Sequence, residues 1–315
     1  MIKVEEKIDY LVGKDFKNRK ILEPFNKIIC DFLIDLSSDL NQFNNPDIKA
    51  LAFWCRNANI MRLKNLYKTN DLRLGLGLIF HITPSNIPTN FAYSLIFGLI
   101  TGNSNIVKVP SKKFKEIDII CKSIKKTLKK YKEIKNMISI VRYKNNEHFT
   151  KKISLACNAR VIWGGDKSIT NIRTHPIDQR AIDLTFADRY SFCAIDSNSI
   201  MNLNNHDIKK IAEKFYNDTY VVDQNACSSP HLIMWIGKKN KTARAKFWEE
   251  LNKIVGIKYD FNESTAMEKL THLCSDILKH KNILQYKKYS NSLYTLELDR
   301  LNYQNHTALD NLHIN

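Results

Sequence analysis

Several signatures that would place this chain in a common class are missing. No apolar run reaches the roughly 20 residues that a bilayer-spanning helix needs. The start, Met1-Ile2-Lys3-Val4-Glu5-Glu6-Lys7, lacks the apolar core of a secretory signal, so the expected location is cytoplasmic, with no transmembrane segment. The seven cysteines (30, 55, 121, 157, 193, 227 and 274) are scattered and odd in number. They form neither Cys-x-x-Cys pairs nor Cys/His clusters of metal-ligand spacing, which predicts free thiols and no metal site. Internal repeats and low-complexity linkers are absent. The Gly-rich strand-to-helix turn that cradles a pyrophosphate is missing too, because Gly75-Leu76-Gly77 precedes a strand instead of following one.

What is present is a chain of 315 residues, 43% hydrophobic and 26% charged, long enough for two domains and a sizeable core. Its net charge of +17 points to an anionic partner: nucleic acid, a membrane surface, or a phosphorylated cofactor and coenzyme A. Many of the lysines fall in residues 111–135, where Ile117, Ile120, Cys121, Ile124, Leu128 and Tyr131 recur at helical spacing. That pattern is an amphipathic helix with a solvated lysine face. No aromatics interleave with the lysines to stack on bases, so nucleic acid is not the expected partner.

Three regions follow from periodicity. Residues 1–70 read as a helical N-terminal region, with Phe25, Ile28, Ile29, Phe32, Leu33 and Leu36 at helical spacing and a second such run from Ile48 to Leu66. Residues 71–205 alternate short apolar runs, near 76–82, 105–109, 137–143, 159–163 and 191–195, with helical patterns. This predicts an α/β fold built on a doubly wound, largely parallel sheet, with ligands at the carboxyl ends of its strands. Residues 206–315 open with a helix over about 206–222 that leads to Cys227, then a strand over 231–236 and a helix over 242–254. They read as a partial α/β catalytic domain, whose last stretch, 286–315, is polar and poorly periodic.

The strand ends carry the chemistry. Thr83-Pro84-Ser85-Asn86-Ile87-Pro88 follows the first strand, Lys108 and Ser111 bracket the end of the second, and Gly164-Gly165-Asp166 turns from strand to helix. Gln224-Asn225-Ala226-Cys227-Ser228-Ser229-Pro230 follows a helix. Each is ambiguous alone. An Asn between prolines is normally a turn residue, a lone Lys a surface charge, and a Gly pair a turn. Cys227 differs from the other six cysteines because its neighbours are polar and small, where a reactive thiolate could be exposed. A cationic side chain and a glycine-started helix N-terminus both favour phosphate.

In this order, the loops resemble the aldehyde dehydrogenase superfamily, and more closely its acyl-CoA reductase branch, typified by the fatty-acid reductase of bacterial bioluminescence. The resemblance implies an NADPH (NADP) site without the usual fingerprint. Lys108 and Ser111 would line the adenosine ribose and its 2′-phosphate, with Pro84 in the same cofactor site, and Gly164-Gly165 would open the helix nearest the pyrophosphate. It makes Cys227 the nucleophile toward an acyl-CoA or acyl-protein thioester and Asn86 the oxyanion donor. A hydrolytic aldehyde dehydrogenase also carries a Glu base in Glu-Leu-Gly-Gly. The corresponding stretch here is Asp183-Leu184-Thr185-Phe186-Ala187-Asp188, which leaves Asp183 and Asp188 as structural residues or acid–base candidates. His231, four residues after Cys227, is a weaker candidate base.

Measured against that resemblance the chain is short, since only residues 228–315 follow Cys227. The expectation is therefore an NADPH-dependent long-chain acyl-CoA reductase, a homo-oligomer if complete, with an acyl-protein synthetase and an acyltransferase as partner subunits. The alternative is a C-terminally shortened, catalytically silent remnant or assembly subunit, and a nucleic-acid binder ranks last.

Overall fold

The computed structural model describes residues 8–15, 20–144, 146–187, 189, 191–224, 226–238, 240–260 and 262–299. The chain divides into two compact units, 1–187 and 188–315.

In the first unit, β1 (Asp9–Val12) is followed by α1 (Lys27–Leu40), α2 (Pro46–Cys55) and α3 (Asn57–Leu66). The run expected to be continuous over 48–66 breaks at Arg56, whose ψ of 150° is extended and whose guanidinium lies 3.5 Å over the Phe53 ring. Asn45 caps α2 through its side chain, and Pro46 occupies the first turn, where no backbone donor is needed. Then come β2 (Leu78–Ile82), α4 (Asn90–Ile100), β3 (Ser104–Val109), α5 (Lys115–Thr127), β4 (Ile138–Arg142), α6 (Glu147–Ala156), β5 (Ala159–Trp163), α7 (Asp166–Arg173) and β6 (Ile182–Phe186).

The sheet order is β1-β4-β3-β2-β5-β6, parallel throughout except for β1, which pairs antiparallel with β4. This is the doubly wound arrangement expected from the alternating pattern. Helices cover both faces, so β2, β3 and β4 are buried along nearly their whole length. On one face α1, α2, α4 and α5 share a single core, with Leu33, Leu51, Leu99, Ile117 and Ile120 fully buried. The N-terminal helices are thus part of the first unit. On α5 the apolar stripe packs inward as the spacing predicts, and Lys126 and Lys130 reach Asp39 and Asp35 of α1. The sequence reading missed β1 and β6.

The second unit contains β7 (Ser191–Asp196), α8 (Ser197–Asn202), α9 (Asn205–Thr219), β8 (Pro230–Ile236), α10 (Asn240–Lys258), α11 (Glu263–Lys279), β9 (Ile283–Ser290) and β10 (Leu293–Leu298). The strand expected near 191–195 exists, but it pairs in parallel with β8 in a separate two-stranded sheet. It therefore belongs to this unit, and the unit boundary falls at 187/188 where the sequence reading put one near 205. Within the polar, poorly periodic stretch from residue 286, the described residues contribute most of an antiparallel hairpin, β9–β10. Phe215, Phe247, Trp248 and Leu251 form the core between α9 and α10. Among the described residues no helix is long and apolar enough to cross a membrane.

Candidate active site

The first unit gathers six of the expected residues at the carboxyl ends of its parallel strands. In register, Ile82 of β2 lies between Lys108 of β3 and Ile162 of β5, so the loops that follow leave the sheet at one level. Thr83 ties two of them together: its backbone N–H and its hydroxyl both donate to the Lys108 carbonyl, at 3.3 and 2.9 Å. Pro84 is half-buried and Asn86 exposed in the loop that opens α4.

Lys108 is half-buried with its ammonium 5.0 Å over the Tyr143 ring, and burial lowers its pKa from the ordinary lysine value. The Ser111 hydroxyl donates to the Tyr143 carbonyl at 3.1 Å. Tyr143 itself is buried, its hydroxyl within 3.1 Å of Thr150 Oγ1, and burial pushes its pKa up to about 12. Sequence reasoning missed Tyr143, although it directly follows a strand end. Lys108 thus presents its ammonium at this edge beside Ser111, a cation suited to a phosphate.

Gly165 caps α7 with extended backbone, leaving the first amides of that helix for an anion. Asp166 stands in the same first turn, however, and its carboxylate works against a phosphate there. A side chain on Gly164 would meet only Ser168 Cβ at 3.5 Å, so close packing does not demand glycine at this position.

Beneath the loops runs a buried polar chain that the sequence gave no reason to expect. Trp163 Nε1–H donates to Ser94 Oγ at 3.0 Å, Ser94 Oγ lies 2.7 Å from His81 Nδ1, and His81 Nε2 lies 2.9 Å from Asn105 Oδ1. Asn105 Nδ2 donates to the Asn103 carbonyl at 2.7 Å. That last bond fixes the direction of the rest. Asn105 Oδ1 accepts from His81 Nε2–H, which leaves Nδ1 to accept the Ser94 proton. Burial lowers the His81 pKa to about 4, so the ring is neutral at physiological pH.

The chain needs Gly98, since a Cβ there would sit 1.8 Å from Asn105 Oδ1 and 3.0 Å from His81 Nε2. Gly98→Ala is accordingly expected to destabilise the protein by about 2–4 kcal/mol, through overpacking and a broken buried network. A helix-propensity gain of about 1 kcal/mol only partly offsets this. Urea unfolding measures it, and a more stable variant would contradict the packing described.

Asp183 is a structural residue. Its carboxylate takes a two-pronged ion pair from Arg160, Nε and Nη2 each donating at 2.7 Å. Arg160 is 1% exposed and spends Nη1 on Ser154 Oγ and on the carbonyls of Ile172 and His175. Asp188 lies outside the described residues.

Cys227 belongs to the second unit, in the loop between α9 and β8. It is exposed, whereas Cys30, Cys55, Cys121 and Cys157 are buried, and burial pushes the Cys55 and Cys121 thiols up to about 12. The loop is held on both sides of it. Ser191 Oγ donates to the Cys227 carbonyl at 2.7 Å, and Ser229, fully buried, donates from Oγ to the Asp218 carbonyl at 2.6 Å. Upstream, Asp223 and Gln224 sit at φ of 47° and 55°, a left-handed conformation uncommon outside glycine. Their positions are fixed by Tyr259, whose hydroxyl donates to Asp223 Oδ1, and by the buried Gln224 amide, which donates to the Pro230 carbonyl at 3.3 Å. Lys269, buried with its pKa lowered by desolvation, lies 5.2 and 5.5 Å over the Tyr220 and Tyr259 rings. Asn225 lies outside the described residues. His231 is buried and lines a 410 Å³ cavity with Trp235, Arg244, Trp248 and Tyr289, a lining that does not include Cys227. Among the described residues no group of three or more His, Cys, Asp or Glu side chains could hold a metal ion.

Comparison with known proteins bears on this arrangement. Among solved structures, a glyceraldehyde-3-phosphate dehydrogenase, GapN, of Methanocaldococcus jannaschii complexed with NADP superposes with a TM-score of 0.59 at 16% identity, covering 91% of this chain and 70% of that one. An oxidoreductase from Marinobacter aquaeolei gives 0.58 at 13% identity, with 85% and 62% covered. AldH of Staphylococcus aureus, in a substrate-bound state, gives 0.55 at 14% identity, with 91% and 69% covered. This chain therefore spans about two thirds of the length of these proteins and shares their α/β fold. No curated protein matches it. Residues 61–269, well over half the chain and including Asn86, Lys108, Gly164 and Cys227, match the family described as acyl-CoA reductase (LuxC), and the chain belongs to that family.

Proposed function

We propose that this protein reduces the thioester of a long-chain acyl-CoA, or of an acyl-protein donor, to the aldehyde by way of a thioacyl intermediate on Cys227. The observation that carries the reading is an exposed cysteine, on a loop braced at both ends, inside the segment that matches the acyl-CoA reductase family. The Cys227 thiolate would attack the thioester carbonyl, forming a new C–S bond as the donor thiolate leaves. The Asn86 side-chain amide and the Cys227 backbone N–H would stabilise the oxyanion that develops between these events.

Lys108 and Ser111 would hold the 2′-phosphate and adenosine ribose of NADPH, with Pro84 in the same site, and the Gly164-Gly165 turn would take the pyrophosphate. When bound there, NADPH supplies the hydride that converts the thioester to aldehyde and frees the thiolate. The rest of the fit lies in what the site withholds. Asp183 has both carboxylate oxygens held by Arg160 and cannot serve as a water-activating base, which suits an enzyme that must keep its thioester from hydrolysis. An acyl-protein synthetase and an acyltransferase are the partners that would supply such a donor.

Steady-state assays with a long-chain acyl-CoA and NADPH test this reading through Asn86. Asn86→Ala is expected to lower kcat by about 10²–10³, the usual effect of removing one oxyanion donor, with KM for the acyl-CoA little changed. A variant within threefold of wild type would remove Asn86 from the mechanism.

A further inference from the structure

Trp163 is the one large aromatic side chain that the buried polar chain ends on, and it stands directly before Gly164-Gly165. Its indole is pinned at the edge by Ser94 and stacked on Phe186 of the neighbouring strand, with centroids 3.9 Å apart and an interplanar angle of 8°. Trp163 and Phe186 are also register partners in the sheet. Trp163 packs against the buried Ile79, Ala159 and Val161 but is itself only half-buried, and Phe186 is 38% exposed. A stacked aromatic pair, oriented by a neutral histidine and left open at the carboxyl end of a parallel sheet, is a platform for a flat ring.

The position of the pair indicates which ring. Ser94 lies on α4, the helix opened by the loop that carries Asn86, whereas Lys108 and Ser111, proposed for the adenosine ribose and its 2′-phosphate, lie on the opposite side of β2. Resting on the proposed dinucleotide site, the geometry points to Trp163 as the contact for the nicotinamide ring, with Ser94 and His81 as positioning residues that set the indole plane. His81 acts only through Ser94. With Nε2–H committed to Asn105, its Nδ1 orients the Ser94 hydroxyl, and the Ser94 oxygen then accepts the indole N–H.

Fluorescence titration of the full-length protein with NADPH reads this without turnover, because reduced nicotinamide absorbs where tryptophan emits. Wild type is expected to show quenching that Trp163→Phe largely loses and Trp235→Phe keeps. Trp163→Ala is expected to weaken NADPH about tenfold, the range of a lost ring-on-ring stack. Trp163→Phe, which keeps a ring, should bind more tightly than the alanine variant. Ser94→Ala should weaken NADPH several-fold while remaining folded by circular dichroism, and Ser94→Thr, which keeps the hydroxyl, should restore binding. Wild-type affinity in a folded Trp163→Ala would overturn the platform while leaving the dinucleotide site standing. Wild-type affinity in Ser94→Ala would overturn the positioning role. Equal quenching by 2′,5′-ADP, which lacks nicotinamide, would assign the platform to the other ring and overturn the inference as stated. Wild type that does not bind NADPH would overturn both this inference and the reading it rests on.

Discussion

Cys227→Ala is expected to abolish aldehyde formation, lowering kcat/KM by at least about 10³, since covalent catalysis has no substitute when its nucleophile is gone. The effect should be specific to this thiol. Cys274 is also exposed, and Cys274→Ala should retain wild-type activity; the buried thiols of Cys55 and Cys121 are held protonated by their surroundings. The folded state should be untouched, because an exposed side chain contributes little to packing. Matching melting temperatures for Cys227→Ala and wild type, beside the lost activity, are the expected pair of results. Residual aldehyde formation above about 10% of wild type would move the nucleophile elsewhere.

Asp183→Asn is expected to cost about 3–5 kcal/mol of stability, because it leaves the Arg160 charge buried without its counter-charge. Arg160 is 1% exposed, and the Asp183 side chain 12%, so solvent cannot take over the pairing. For a unit of this size each kcal/mol moves Tm by about 2–4 °C, which places the shift at roughly 6–20 °C. Replacing both partners together by apolar side chains should recover much of the loss, since the remaining penalty is then one of packing. This variant also decides a chemical question. An Asp183→Asn protein of unchanged stability but lost activity would make Asp183 an acid or base in the reaction, against the ion pair that fixes it.

The sequence disclosed the elements whose pattern is enforced by burial. Strands β2, β3 and β5 are buried along nearly their whole length because helices cover both faces, and their carboxyl ends and the loops that follow carry Asn86, Lys108 and Gly164 in readable order. Cys227 stood out because its neighbours are small and polar. Edge elements were illegible for the converse reason. In β6, Ile182, Leu184 and Phe186 alternate with Asp183 and Thr185 but are largely exposed, and β9 carries Lys287 and Lys288 on a hairpin that reads as polar tail. The Trp163–Ser94–His81–Asn105 chain left no trace in the sequence, because its members come from four different elements and meet only through tertiary packing. Gly98, a glycine within an apolar helix, is explained only by the structure, as room for Asn105 and His81.

Passage of an acyl group through Cys227 and its release as aldehyde can be read in one experiment, in which the purified protein is incubated with a long-chain acyl-CoA, the acyl group is mapped by peptide mass, and NADPH is then added. The expected result is one acyl group on the peptide containing Cys227, stable until NADPH is added and then released as an equal amount of aldehyde. An acyl group on another residue, or release as the free acid before NADPH is added, would contradict it.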